Sequence, residues 1–311
     1  MINDLPLATV LIGIASNGIR LATPYLYATI GETIGQLSGV LNLGVEGMML
    51  LGAYAGFYTT LRTGNPWLGL LTAIAVGLVL GLINAFVSVT LKAEQGISGI
   101  GFYLFGLGMS ELLFQVTLGT VETVSGFPPL RLPLLGDLPV VGEVFFNHNV
   151  LVYAAYALVP AAWFVLNKTT WGLKVRAAGQ NPAAADSLGV NIAGVRYATV
   201  TLGGVLSSIA GASLSIALLN VFQQNLTSGM GFIAVALVYF GGWTPAGALA
   251  GSLLFSTVNS LQNWVQRLGL PIAPDFALML PYVLTILALV LTVRKVRAPA
   301  ALTKAFERGE G

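Results

Sequence analysis

"GFIAVALVYFGGWTPAGALAGSLLFSTVNSL", residues 231–261, contains no Lys, Arg, Asp or Glu, and two apolar runs meet in it around Gly241, Gly242 and Pro245. A helix crossing the hydrocarbon of a bilayer needs about 20 apolar residues. The first run supplies roughly half of that before glycine and proline oppose further helix. The stretch therefore reads as a broken or re-entrant helix, or as a tight turn between two full crossings. Irregular backbone at membrane depth is tolerated only where protein or a wet cavity satisfies its N–H and C=O groups, so a break here points to a nearby passage.

The rest of the chain has the same character. Of 311 residues 56% are hydrophobic and 8% charged, with mean hydropathy +0.83, whereas about a quarter of a soluble domain is charged. So few charges cannot form the polar shell of a globule this size, and lipid takes that place. Apolar runs fall at 6–31, 39–61, 66–91, 97–119, 148–167, 195–220, 230–266 and 276–294, which gives eight to nine crossings and an all-α polytopic membrane protein. The N-terminus has no basic region ahead of its apolar run, and no signal peptide is expected.

Composition also excludes chemistry. There is no cysteine, so no disulfide, thiolate nucleophile or cysteine-bound metal. The one histidine, His148, lies in a polar connection and reads as a surface side chain; no metal site is expected. No GxxxxGK[ST] phosphate loop and no HExxH or Ser/His/Asp grouping occurs. A net charge of +2 is too small to suggest a nucleic-acid partner.

Basic residues orient the bundle. With nine crossings, Lys92, Lys168, Lys174, Arg176, Arg196, Arg294, Lys295, Arg297, Lys304 and Arg308 collect on one side and Arg62, Arg131 and Arg267 on the other. The positive-inside rule makes the first side cytosolic, with the C-terminus there. The connection at 120–147 is then extracellular, and its prolines favour an ordered cap over a regular helix. The connection at 168–195 is cytosolic. Within it Asn181 suits an N-cap, Pro182 the first helical position and Gly189 the residue past the end, predicting a two-turn helix over Ala183–Leu188 outside the membrane.

Polar residues inside spans are costly and so are the functional candidates: Arg20, Asn42, Glu46, Asn84, Glu111, Asn220, Gln223, Gln224, Asn259, Gln262 and Asn263. Asn42 and Glu46, four residues apart, are expected to share a helix face continued by Met49, Ala53 and Gly56. Glu46 either anchors that helix by accepting from backbone amides or Arg20, or lines a passage. In "NVFQQNLTSG", residues 220–229, three amides flank Phe222; amides recognise hydroxyls or base edges while a ring stacks, so the cluster is either a polar-substrate contact or an ordinary loop. Asn42, Glu46, Asn84, Asn220, Phe222, Gln223 and Gln224 are the candidate substrate path. The pairs Gly52 and Gly56, Gly77 and Gly81, and Gly247 and Gly251 have the spacing of close helix packing.

"GETIGQLSGVLNLGVEGMMLLGAYAG" (31–56), "GNPWLGLL" (64–71), "TTWGLKVRAAGQNPAAADSLGVN" (169–191) and "GFIAVALVYFGGWTPAGALAGSLLF" (231–255) resemble the permease subunits of ABC importers of the branched-chain amino acid, ribose and nucleoside group. Within that group they are most similar to the shorter permease of the nucleoside, basic membrane protein-dependent systems. The resemblance runs from about residue 20 to 295. It implies one transmembrane permease domain over 1–311, of the type II importer (vitamin B12 permease-like) fold. It also implies a second, non-identical permease, a cytosolic ABC ATPase that binds the ATP, an extracytoplasmic substrate-binding lipoprotein, and residence in the bacterial cytoplasmic membrane, with no cofactor on this chain. Gly179, Asn181, Pro182, Ala185, Leu188 and Gly189 then form the ATPase-coupling helix. Gln180 stands where the resemblance has a frequent Glu and Leu37 where it has a frequent Arg, so no ionic contact is expected at either position. The function implied is nucleoside import by alternating access. The alternatives are import of simple sugars such as ribose or galactose, a stand-alone secondary transporter using Arg20, Glu46 and Glu111 as ion sites, and a non-transporting scaffold.

Overall fold

A computed structural model describes residues 7–131, 133, 136, 138–267 and 298–308, together with the helical positions 279, 283, 286, 287 and 290. The span expected over 276–294 otherwise lies outside the described residues. Among these, eleven α-helices follow in order: α1 Leu7–Leu37, α2 Val45–Thr63, α3 Pro66–Ala85, α4 Gln95–Thr117, α5 Val141–Phe145, α6 Val150–Lys168, α7 Thr170–Gln180, α8 Pro182–Ser187, α9 Ile192–Ser213, α10 Met230–Phe240 and α11 Pro245–Arg267. Two-residue strands β1 (Leu130–Arg131) and β2 (Asn147–His148) pair antiparallel. Helices α3 and α9 each run into a π-helical turn, at Phe86–Thr90 and Leu214–Leu218.

With those turns included, α3 and α9, together with α4 and α6, are long and apolar enough to cross a membrane. Helix α1 carries more polar residues, and it packs against α9, α10 and α11, so protein rather than lipid meets them. Small residues set the tight core. A Cβ on Gly52 would overlap Ser208, one on Gly77 would meet Gly204 and Ser208, and one on Gly204 would meet Gly77 and Gly81. Glycine thus lets the α2, α3 and α9 backbones touch, as close helix packing in lipid requires.

Caps punctuate the helices as their sequence suggests. Asn65, Asn149, Asn181 and Asn191 each accept a backbone N–H in the first turn of the helix they precede, and Glu94 does so for α4. Two loop faces result. Residues 118–131, 138–149 and 219–228 meet on one, the cap face, where Thr123 bridges Val221. Residues 91–95, 169–191 and 298–308 meet on the other, the basic face, where Lys92 pairs with Glu307 and Arg308 with Asp186.

Three expectations change, and one open reading is decided. The first span continues to Leu37, and residues 38–44 are non-helical, with α2 starting only at Val45. Asn42 therefore shares no helix face with Glu46; it precedes the helix, and its Oδ1 accepts from Gly44 N at 2.8 Å. His148 is not a surface side chain: it is 2% exposed, and its Nε2 donates to the Val144 carbonyl at 2.8 Å. The basic run 170–180 is itself a helix, α7, capped by Thr169. Finally, the stretch at 231–261 resolves into two helices of unequal length. Helix α10 has 11 residues, only about 16 Å at 1.5 Å per residue, and a turn through Gly241, Gly242 (φ 61) and Trp243 (φ 55) leads into α11 of 23 residues.

Candidate functional site

The short helix α10 begins inside the bundle. Its N-cap, Gly229, has φ 87 and no side chain to satisfy the first turn. The partner comes from another helix. Glu46, in the first turn of α2 and 0% exposed, accepts from Gly229 N at 2.7 Å and Thr227 Oγ1 at 2.5 Å through Oε1, and from Gly231 N at 2.5 Å through Oε2. A carboxylate there also lies at the positive end of the α10 dipole. A Cβ on Gly231 would collide with the Glu46 backbone, so glycine is what allows the approach. Of the two anchors foreseen, backbone amides are the partners; no bond to Arg20 forms.

The non-helical segment before α2 is held by polar groups the sequence reading overlooked. Glu32 Oε1 accepts from Gln36 Nε2 at 2.9 Å and from Asn42 N at 3.0 Å, and Gln36 Oε1 accepts from Trp243 Nε1 at 2.8 Å. Gln95 Oε1 accepts from Leu41 N at 2.8 Å, and Arg196 Nε donates to Ser38 O at 3.1 Å. All four polar side chains are buried, which satisfies the backbone that leaves the helix. The signal was present in "GETIGQ": a carboxylate and an amide at i and i+4 just past the apolar run.

The remaining candidates scatter. Asn84, in the last turn of α3, is 1% exposed and accepts from Ser88 Oγ of the π turn at 3.3 Å. Asn220 (φ 56) follows the π turn at the end of α9, and its carbonyl accepts from Val124 N at 3.0 Å. Phe222 is fully buried against Tyr54, Phe57 and Phe114. Gln223 is exposed, and Gln224 donates to Glu111 Oε1 at 3.2 Å on the exposed side of α4. Arg20 sits at the cap face beside Asn149 and Ala217, so Arg20, Glu46 and Glu111 are not brought together. The π turn explains the stitching of the cap: its carbonyls at Ile216 and Ala217 accept from Phe127 N at 2.9 Å and Asn149 Nδ2 at 3.0 Å.

Beside the capped end of α10 lies a cavity of about 300 Å³ walled by Tyr25, Thr227, Ser228, Phe255, Asn259 and Gln262 among apolar neighbours. Ring centroids of Tyr25 and Phe255 are 5.2 Å apart. The wall thus combines aromatic faces with amides and hydroxyls, a set suited to a neutral, hydrogen-bonding ligand. Asn259 and Gln262 belong to the intramembrane polar residues singled out in the sequence.

On the basic face, Asn181 Oδ1 accepts from Ala184 N at 3.0 Å, Pro182 opens α8, Leu188 caps it and Gly189 follows at φ 84. Gly179 packs against Leu37, Ala185 is buried, and Leu188 is 85% exposed. Residues 298–308 strap this region down: Ala301 N donates to Gly179 O at 2.9 Å, Thr303 N to Gly39 O at 3.1 Å, and Arg196 to Lys304 O at 3.0 Å. Arg308 bonds Asp186 through two nitrogens, at 2.8 and 3.0 Å. That bonding, more than the charge itself, holds the Asp186 carboxyl below the usual aspartate range. A lowered folded pKa means the contribution is present above the ordinary value of about 3.9 and lost as pH falls through the lowered one. The pair is exposed, so salt rather than mild acid is expected to loosen the strap. Limited proteolysis of residues 298–308 should accelerate at high ionic strength and stay constant between pH 8 and pH 6.

Comparison with known proteins fits this architecture. The family model described as "branched-chain amino acid transport system / permease component" matches residues 14–289. A Haloferax volcanii protein provisionally named a glucose ABC transporter permease, TsgC13, is 41% identical across 85% of this chain and 80% of its own. The guanosine ABC transporter permease NupQ of Bacillus subtilis and the nucleoside ABC transporter permease NupC of Lactococcus lactis are each 34% identical, over 93% of this chain and 94% of theirs. No solved structure matches the chain. With the family model spanning most of a polytopic helical bundle, this chain belongs to the permease-component family of branched-chain amino acid-type ABC transport systems.

Proposed function

We propose that the chain is the membrane-spanning permease of an ATP-driven importer of nucleosides. The observation that carries the reading is the half-length helix α10, which starts inside the bundle beside a cavity of about 300 Å³ lined by Asn259, Gln262, Tyr25 and Phe255. Broken backbone beside a passage must be satisfied by protein or a wet cavity, and Glu46 satisfies the start of α10. Amides and aromatic rings suit a base, and the full-length similarity to guanosine and nucleoside permeases supports the same cargo. The excess of basic residues on the face of α7 and α8 supports a cytosolic C-terminus. Helix α8, with the exposed Leu188 at its end, is the element offered to the ATPase, and a second permease and a delivery protein complete the system. ATP-driven closure of the ATPases moves α8, and the strap carries that motion to residues 38–44.

A sugar cargo is the second reading, favoured by the 41% identity to TsgC13. Competition decides between them. In cells expressing the complete system, uptake of labelled guanosine should be suppressed by excess adenosine and not by excess glucose; suppression by glucose alone, or glucose uptake without guanosine uptake, favours the sugar reading. For coupling, Asn181→Ala removes an N-cap worth about 1 kcal/mol. It should lower uptake at least threefold while the complex retains ATPase activity; unchanged uptake removes α8 from the mechanism.

A further inference from the structure

A second cavity, of about 320 Å³, lies under the cap and is walled by Arg20, Glu143, Asn147, His148, Asn149 and Asn220. Its polar groups are poorly served by the protein. Arg20 makes no hydrogen bond or ion pair among the described residues, although Glu143 lines the same wall. Among the described residues the Oδ1 of Asn220 is buried without a partner, and so is the Nδ1 of His148, a residue only 2% exposed. The tautomer of His148 follows from its other contact. Nε2 faces the Val144 carbonyl at 2.8 Å and must donate to it, so in the neutral ring Nδ1 is a bare acceptor. Burial, followed by the nearby Arg20 charge, holds His148 below its usual pKa, which keeps that acceptor available.

Three acceptors and one cation, unpaired around a small void, demand a ligand that donates several hydrogen bonds and accepts one. Metals are a poor match for a wall bearing a guanidinium, and an anion would leave the His148, Asn220 and Glu143 acceptors without donors. We infer that this cavity is a binding site for a neutral polyhydroxy molecule, its hydroxyls donating to His148, Asn220 and Glu143 while one of its oxygens accepts from Arg20. That chemistry is shared by free sugars and by the pentose of a nucleoside. Glu143 and Asn147 are exposed at the mouth, so the site opens at the cap face. Leu218 contributes to this wall and to that of the cavity beside α10; making the polyol site an outer station of the same passage rests on the importer reading, whereas the binding itself does not.

The test is equilibrium binding to the full-length chain in lipid nanodiscs, without ATP or partners. The probes are labelled D-glucose, adenosine and 2′,3′-dideoxyadenosine, which lacks the vicinal hydroxyls. The proposal predicts saturable binding of glucose, adenosine or both, at least tenfold weaker binding of the dideoxy compound than of adenosine wherever adenosine binds, and at least tenfold loss in Arg20→Gln. Asn147→Trp, at the mouth, serves as a second variant, with elution as a single monodisperse peak showing that each is folded. Glucose alone binding identifies a sugar site, and adenosine alone a nucleoside site. Absence of saturable binding of both, or binding unchanged in the two folded variants, overturns the proposal and leaves the cavity to water. Failure here leaves uptake by the complete system untouched, so the two readings fail separately.

Discussion

Glu46→Ala is expected to abolish uptake and to remove most of the folded chain from the membrane. The substitution strands the Thr227 hydroxyl and the Gly231 amide, both buried, and the half-buried Gly229 amide around a carboxylate position that is 0% exposed. Each buried donor left unsatisfied costs about 1–3 kcal/mol, so the three together come to roughly 3–9 kcal/mol, a large share of the about 5–15 kcal/mol that holds a typical fold. Glu46→Gln separates hydrogen bonding from charge. Its carbonyl oxygen can replace Oε1 and keep Thr227 and Gly229, but its NH₂ then confronts the Gly231 N–H, donor against donor. The expected result is an intermediate loss, about 1–3 kcal/mol, with chain still inserted and uptake reduced but measurable. Fluorescence-detected size exclusion of solubilised membranes, alongside uptake, checks both. Wild-type stability in Glu46→Ala would mean that the α10 terminus is not held by this contact.

Gly211→Leu should be as damaging for a different reason. A Cβ at this position would overlap the Met49 carbonyl of α2, and backbone cannot rotate away as a side chain can. Overpacking costs about 1–3 kcal/mol where neighbours can yield and more where they cannot; here separation of α2 and α9, the centre of the bundle, is the only relief. Gly108→Leu is the control. Nothing lies within 4 Å of a Cβ there, and replacing glycine in a helix gains up to about 1 kcal/mol of propensity. Thermal melts of the isolated chain in detergent should show Gly211→Leu lost or strongly lowered and Gly108→Leu unchanged or raised.

Much of this was readable in the residues. The asparagine caps, the small-residue contacts and the break at Gly241–Pro245 are local devices, and local devices leave local signals. The helix at 182–187 was legible for the same reason, since Asn181, Pro182 and Gly189 each act within a few residues. What was hidden depends on partners far along the chain. Glu46 reaches Gly231, 185 positions away, and no local signal marks which amides it serves. Residues 38–44 read as helix because they are apolar, yet Glu32, Gln95 and Arg196 offer their backbone an alternative to helical bonding. His148 was misplaced because a polar connection suggests exposure, whereas here the connection folds back over it as a cap. The cavity beside α10 draws Asn259 and Gln262 from one helix and Thr227 from a loop, a juxtaposition only tertiary structure creates.

We propose that transport through this bundle is driven by a partner ATPase acting on α8 rather than by an ion gradient acting on Glu46, Glu111 or Arg20. The most direct measurement is guanosine uptake into sealed liposomes holding the complex that co-purifies with this chain, with ATP supplied on the α8 side or withheld and with ion gradients imposed or collapsed. Uptake is expected to require ATP, to persist when the gradients are collapsed and to be lost in the double variant Pro182→Gly, Leu188→Asp. Uptake by the chain alone, without ATP and driven by an ion gradient, would contradict it.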